Sequence, residues 1–178
     1  MKQLRRFVVP LAAALSLVSM PAASLASPVP ADLVQLSCTE TTTASYSPPL
    51  LNTPQTTTVA SHSDIGPCVG LPGGYTSATT SALYSAVVGC TQLVQNLPGS
   101  KTYTWNDGTT STFTYTRVST RVLNGTTQIE FAGAITAGTF QGATAVETGT
   151  AANTQLMACS TTGVAELTFA GVLNITGL

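Results

Sequence analysis

Hydrophobic and polar side chains alternate with a period of two residues between positions 101 and 116. Aromatic rings occupy the odd positions Tyr103, Trp105, Phe113 and Tyr115, and threonines the even positions Thr102, Thr104, Thr110, Thr112, Thr114 and Thr116. Opposed residues of a hairpin share a face, so odd positions must pair with odd ones. A three-residue loop of Asn106, Asp107 and Gly108 meets this condition and puts glycine where a left-handed residue is needed. The pattern predicts a hairpin with a buried aromatic face and an exposed threonine face.

A second hairpin is predicted around Asn124 and Gly125, which form the typical pair of a two-residue type I′ turn. This turn would place Val118 opposite Phe131 and gather one apolar face. The two hairpins disagree in phase, because the first has its apolar residues at odd positions and the second at even positions of the shared strand. We therefore expect a bulge near Thr116 and Arg117, or a strand that crosses between sheets there.

The other segments also favour β-structure. Further strands are predicted at residues 33–46, 56–60, 79–97, 139–148 and 164–176, with prolines interrupting after the first and a loop at 62–74. No segment after the first 26 residues shows an apolar stripe of helical period. We expect an all-β fold of seven to nine strands, closed as an antiparallel sandwich of immunoglobulin-like or similar type, with a barrel as the second choice.

The first 26 residues have the pattern of an export signal. Basic residues are followed by an apolar run of about a dozen residues, too short for a membrane span of roughly 20. Small residues at Ser24 and Ala26 predict cleavage after Ala26, leaving residues 27–178 as one secreted, extracellular domain with no membrane span.

Charge excludes one class of partner. Removal of the signal would leave three basic and seven acidic residues, a net charge of about −4. Three bases are too few for a nucleic-acid surface. Charged residues are only 7% of the whole chain, and serine and threonine supply the polar surface instead.

All four cysteines follow the signal, and an even number in an exported chain predicts two disulfides. Four cysteines allow three pairings, which sequence alone cannot separate. We favour Cys38 with Cys68, closing the proline-rich N-terminal region, and Cys90 with Cys159, joining a middle strand to a late one. The sequence has no Cys-x-x-Cys pair of the kind that would indicate a zinc site.

Candidate chemistry is sparse, and we predict no catalytic residue, cofactor or metal. His62 is the only histidine and is expected in a solvated loop near Asp64, without a nucleophile motif. Glu130, Glu147 and Glu166 are each predicted on the polar face of a strand, as surface acids are. A turn explains the Asn106 to Gly108 sequence better than a calcium loop, which needs more oxygen ligands.

Several sequence segments resemble those of a group of small secreted proteins of actinobacteria whose function is not established. They are Ala44-Ser-Tyr-Ser-Pro-Pro-Leu50, Thr104-Trp-Asn-Asp-Gly-Thr-Thr-Ser-Thr-Phe113 and Gly133-Ala-Ile-Thr-Ala-Gly-Thr-Phe-Gln-Gly142, together with the four cysteines. The group has glycine where this chain has Pro49. The resemblance implies secretion and a β fold, and it brings no catalytic residues.

The working hypothesis is a non-catalytic extracellular module that binds a glycan, a protein or a cell surface. Its candidate binding face is the threonine row Thr102, Thr104, Thr110, Thr112 and Thr114, although threonine is also the ordinary exposed residue of a strand. The alternatives are a secreted hydrolase that uses acidic residues and a carrier that holds an apolar small molecule in a cleft. Two facing carboxylates in a cleft would favour the hydrolase.

Overall fold

The chain folds into a closed barrel of eight antiparallel strands, in which each strand pairs with the next and the last pairs with the first. The structure is a computed structural model. It describes residues 34–95 and 97–177, without the side chain of residue 123. The strands are β1 Val34–Leu50, β2 Gln55–Leu71, β3 Ala78–Val88, β4 Gly99–Trp105, β5 Thr110–Leu123, β6 Thr126–Gly138, β7 Thr144–Ala152 and β8 Val164–Gly177. A 3₁₀ helix, Asn153–Ser160, precedes β8. The all-β class is confirmed, and the closure is the barrel rather than the sandwich. The predicted signal and cleavage site lie outside the described residues.

Both predicted hairpins are confirmed in register. Tyr103 pairs with Ser111 around the three-residue loop, and Gly108 has a φ of 83°. Val118 pairs with Phe131 around the Asn124 and Gly125 turn. The register shifts between Tyr115 and Arg117, where the expected bulge brings the two apolar faces to the same side of β5.

Two strands are longer than predicted. Their prolines lie at positions where the ladder does not need a backbone N–H donor. β1 continues to Leu50 through Pro48 and Pro49, which lie where its pairing with β8 shifts register. β2 covers most of the predicted 62–74 loop, since Pro67 falls in a bulge opposite Thr39. The chain therefore has strand structure where proline suggested loops.

The inward positions of β1 show how the interior is layered. Leu36 and Cys38 belong to one apolar cluster, and Ala44 and Tyr46 belong to a second. Between these two pairs, Glu40 is the most deeply buried inward residue. The barrel thus holds a polar layer between two apolar clusters.

Both favoured disulfides are confirmed. Cys38 and Cys68 are direct partners in the β1 and β2 ladder, with Cα atoms 3.9 Å apart. Cys90 follows β3 and is joined to Cys159 in the 3₁₀ helix. The second bridge fastens the segment between β3 and β4 to the end of the barrel that holds the second apolar cluster.

The wall is incomplete between β3 and β4. Within the described residues these strands pair only at Ala78 with Trp105 and at Thr79 with Thr104, near one end of each. Beyond Thr79 no ladder pair joins the two strands among the described residues. We call this unpaired stretch the gap between β3 and β4.

Candidate functional site

A cavity of about 150 Å³ lies between the polar layer and the second apolar cluster, whose residues supply its buried apolar lining. Apolar and aromatic side chains form much of its wall, including Ala44, Tyr46, Val59, Ile129, Phe131 and Phe169. Glu40, Lys101 and Glu147 also line it. An apolar cavity with a few polar groups is the usual form of a small-molecule site.

Glu147 is the central acceptor of the polar layer. It is 5% exposed, Lys101 Nζ donates to its Oε1, and the Tyr103 hydroxyl donates to its Oε2 at 2.6 Å. Burial, followed by the Glu147 charge, holds the pKa of Tyr103 well above its usual range, so the phenol keeps the proton that it donates. Both oxygens of Glu147 are therefore occupied by donors.

Lys101 reaches this layer from β4, where odd positions face inward. Its Nζ lies 4.0 Å from the ring centroid of Phe131, close enough for a cation–π interaction. The same lysine pairs with Glu147. Lys101 thus joins a carboxylate to the aromatic wall of the cavity.

Glu40 is the second buried carboxyl, and it is only half satisfied. Thr42 donates to its Oε1 at 2.9 Å and is itself 2.7 Å from the Ser63 hydroxyl. Its Oε2 is buried and has no hydrogen-bond partner among the described residues. Burial, and then the charge of Glu147, raises the pKa of Glu40 to about 7, although Lys101 and the two hydroxyls oppose the shift.

These four side chains, Glu40, Lys101, Tyr103 and Glu147, form what we call the interior charge cluster. The expectation that Glu147 lies on the surface is wrong. Hydrophobicity favours Val146 as the inward residue of β7, but Val146 faces outward and Glu147 faces inward, where Lys101 and Tyr103 compensate its charge. Glu130 is half-buried and Glu166 is exposed, both at outward positions.

The sequence interpretation missed Glu40 and Lys101 as site residues, although alternation carried a signal for both. Glu40 has the same parity as Leu36 and Tyr46 on β1, and Lys101 has the same parity as Tyr103 on β4. A charged residue in phase with buried neighbours points into the core. Their meeting in one layer depends on closure of the barrel, which alternation does not encode.

Residues beside the gap between β3 and β4 line the cavity. Tyr84 has inward parity but is 46% exposed, and it borders the cavity with Ala82 and Ser100. Leu93, from the segment held by the Cys90 to Cys159 bridge, is buried against the cavity. A neighbouring crevice of about 160 Å³ shares Tyr84, Val94, Tyr115 and Phe131 with the cavity.

His62 lies on β2 rather than in a loop, with its side chain on the outer surface. Its Nδ1 is 2.8 Å from Ser81 Oγ and its Nε2 is 3.4 Å from Asp64 Oδ1. Ser81, His62 and Asp64 are the residue types of a nucleophilic triad. However, His62 pairs with Thr43 and Ser81 inside the sheet, so the backbone around it is engaged in two ladders and is not arranged as an oxyanion hole is.

The threonine row faces outward on β4 and β5, behind the wall that carries Lys101 and Tyr103 on its inner side. Thr102, Thr104 and Thr110 are exposed, while Thr112 and Thr114 are half-buried. Some of its hydroxyls bond within the sheet, as Thr114 does with Thr136 at 2.8 Å. The row remains a candidate face, separate from the cavity.

Comparison with models of protein families, with curated proteins and with solved structures finds no match to this chain. Among the described residues, no group of three histidine, cysteine or acidic side chains is arranged to hold a metal ion. In the same part of the chain, no helix has the length and apolar character needed to cross a membrane.

Proposed function

We propose that this protein is exported and binds a small, largely apolar molecule inside its barrel, without catalysing a reaction. The observation that carries the proposal is the cavity, which has apolar walls around a few polar groups. A cavity of about 150 Å³ suits a body the size of one aromatic ring. The predicted export signal, the two disulfides and the resemblance to secreted proteins support a role outside the cytoplasm.

Calorimetric titration with toluene tests the binding function. We expect saturable binding to the disulfide-bonded protein. Ala44→Leu extends a side chain that lines the cavity, so it should weaken binding by about tenfold or more because the space is filled. Ala170→Leu on the exposed face of β8 is the matched control and should bind as the parent does. Equal toluene affinity in all three proteins would contradict binding in the cavity.

A secreted hydrolase is the second candidate, favoured by the two carboxyls in one cavity. Glu40, with its raised pKa, resembles a general acid beside an ionised partner. Against this, both oxygens of Glu147 already accept hydrogen bonds from Lys101 and Tyr103. Turnover of aryl glycosides or esters that Glu40→Gln abolished would establish the hydrolase. Turnover abolished by His62→Ala would instead implicate the outer surface.

A further inference from the structure

We propose that the bound molecule is a small amine, whose ammonium group is received by Glu40 while its apolar body fills the cavity. This inference rests on the proposed binding function and specifies its ligand. The hydrogen bonds of the interior charge cluster support it. Glu147 accepts from Lys101 and Tyr103, whereas the buried Oε2 of Glu40 has no donor among the described residues. A ligand N–H group would supply that donor.

The charges of the cluster favour a cation. When both carboxyls are ionised, Glu40 and Glu147 share the single positive charge of Lys101, which is paired with Glu147. A second positive charge beside Glu40 would balance the layer, and a ligand carboxylate would be repelled from it. The polar groups therefore distinguish an amine from an acid of the same shape.

The aromatic wall is also suited to a cation. Phe131 already lies against the Lys101 ammonium group, and Tyr46, Tyr84, Tyr115 and Phe169 border the same cavity. Ring faces attract ammonium groups, most strongly where water is excluded. A primary amine on a single ring or a short chain satisfies both the rings and Glu40.

The groups that act on Glu40 come from opposite strands of the barrel. Lys101 and Tyr103 approach from β4 and Glu147 from β7, whereas the titratable residues of the adjacent β2, His62 and Asp64, point outward. The facing residue of β8 is Gly171. Binding of an ammonium ion should consequently be linked to ionisation of Glu40, with Glu147 opposing that ionisation and Lys101 assisting it.

Titration with four probes of similar shape tests the inference: benzylamine, benzyl alcohol, toluene and benzoate. We expect benzylamine to bind most tightly and benzoate most weakly at pH 7.5. Benzylamine affinity should fall by about tenfold for each pH unit below 7, because ligand binding requires Glu40 to lose its proton. At pH 6, titrations in buffers of different ionisation enthalpy should reveal release of close to one proton per ligand, a result that needs no variant.

Glu40→Gln keeps the side-chain size and should lower the ratio of benzylamine to toluene affinity by about tenfold or more. Glu166→Gln, an exposed change on β8, is the matched control and should leave that ratio unchanged. If toluene and benzyl alcohol bound as tightly as benzylamine, or if no proton were released, the amine inference would be overturned while cavity binding stood. If none of the four bound, both proposals would fall.

Discussion

At the scale of single residues, the interior charge cluster is where stability and function conflict. Transferring Glu40 and Glu147 into a barrel costs free energy that one lysine and a few hydroxyls only partly recover. A well-packed apolar layer of the same volume would be at least as stable. The proposed recognition of a ligand would account for this cost.

Glu40 should make stability depend on pH in an unusual direction for a carboxyl. Its pKa is raised from about 4.5 to about 7, so the folded protein holds this proton more tightly than the unfolded chain does. The resulting stabilisation is complete below pH 4.5 and is lost as the pH rises through 7. We expect the free energy of unfolding of Glu40→Gln, minus that of the parent, to increase by about 3 kcal/mol between pH 4 and pH 8. Urea unfolding at several pH values measures this, and parallel curves would contradict the burial of Glu40.

Lys101 should be required for stability because it neutralises Glu147. Lys101→Met leaves that carboxylate buried without its cation and should lower the free energy of unfolding by about 3 kcal/mol. Adding Glu147→Gln to this variant should restore much of the loss. Arg117→Met, on the exposed side of β5, should change stability by less than about 0.5 kcal/mol. Additive losses in the double variant would exclude the ion pair as the cause.

At the scale of strands, local turn chemistry made parts of the fold predictable. The loops at Gly108 and Gly125 depend on residues beside them in sequence; the register of the first hairpin follows from alternation and that of the second from its two-residue turn. The full length of β1 was not predictable in this way, because Pro48 is tolerated where the ladder with β8, more than 100 residues away, is interrupted between Ser45 and Leu50. The same long-range pairing decides barrel over sandwich and brings Glu40, Lys101 and Glu147 together.

The gap between β3 and β4 should appear in hydrogen exchange. Beyond Thr79, the β3 amides that point away from β2 lack a β4 partner within the described residues, whereas β1 is paired on both sides over most of its length. We expect alternate amides between Ser81 and Ala86 to exchange far faster than those in the centre of β1. Nuclear magnetic resonance resolves them individually. Uniformly slow exchange across β3 would show that the wall is closed.

At the scale of the whole molecule, two disulfides stabilise a single barrel. In the chain-entropy model, closing loops of 30 and 69 residues contributes about 3.5 to 4.5 kcal/mol for each bridge. The Cys90 to Cys159 bridge also holds the segment that carries Leu93 against the cavity. The same disulfide therefore stabilises the fold and holds Leu93 against the cavity.

Export predicts a defined mature terminus. Small residues at Ser24 and Ala26 are those that signal peptidase accepts, so the secreted protein should begin at Ser27. N-terminal sequencing of protein from culture medium measures this directly. A different first residue would refute the predicted cleavage site, and retention of the whole chain in the cytoplasm would refute export.

Contacts between a bound probe and the protein test the central claim most directly. With isotope-labelled protein and unlabelled toluene, intermolecular nuclear Overhauser effects should connect the ligand to Ala44, Ile129 and Phe169, which line the cavity. The exposed threonines Thr102 and Thr104 should show no such effects. Contacts confined to the outer threonine row, with no contact to the three interior residues, would contradict a ligand-binding barrel.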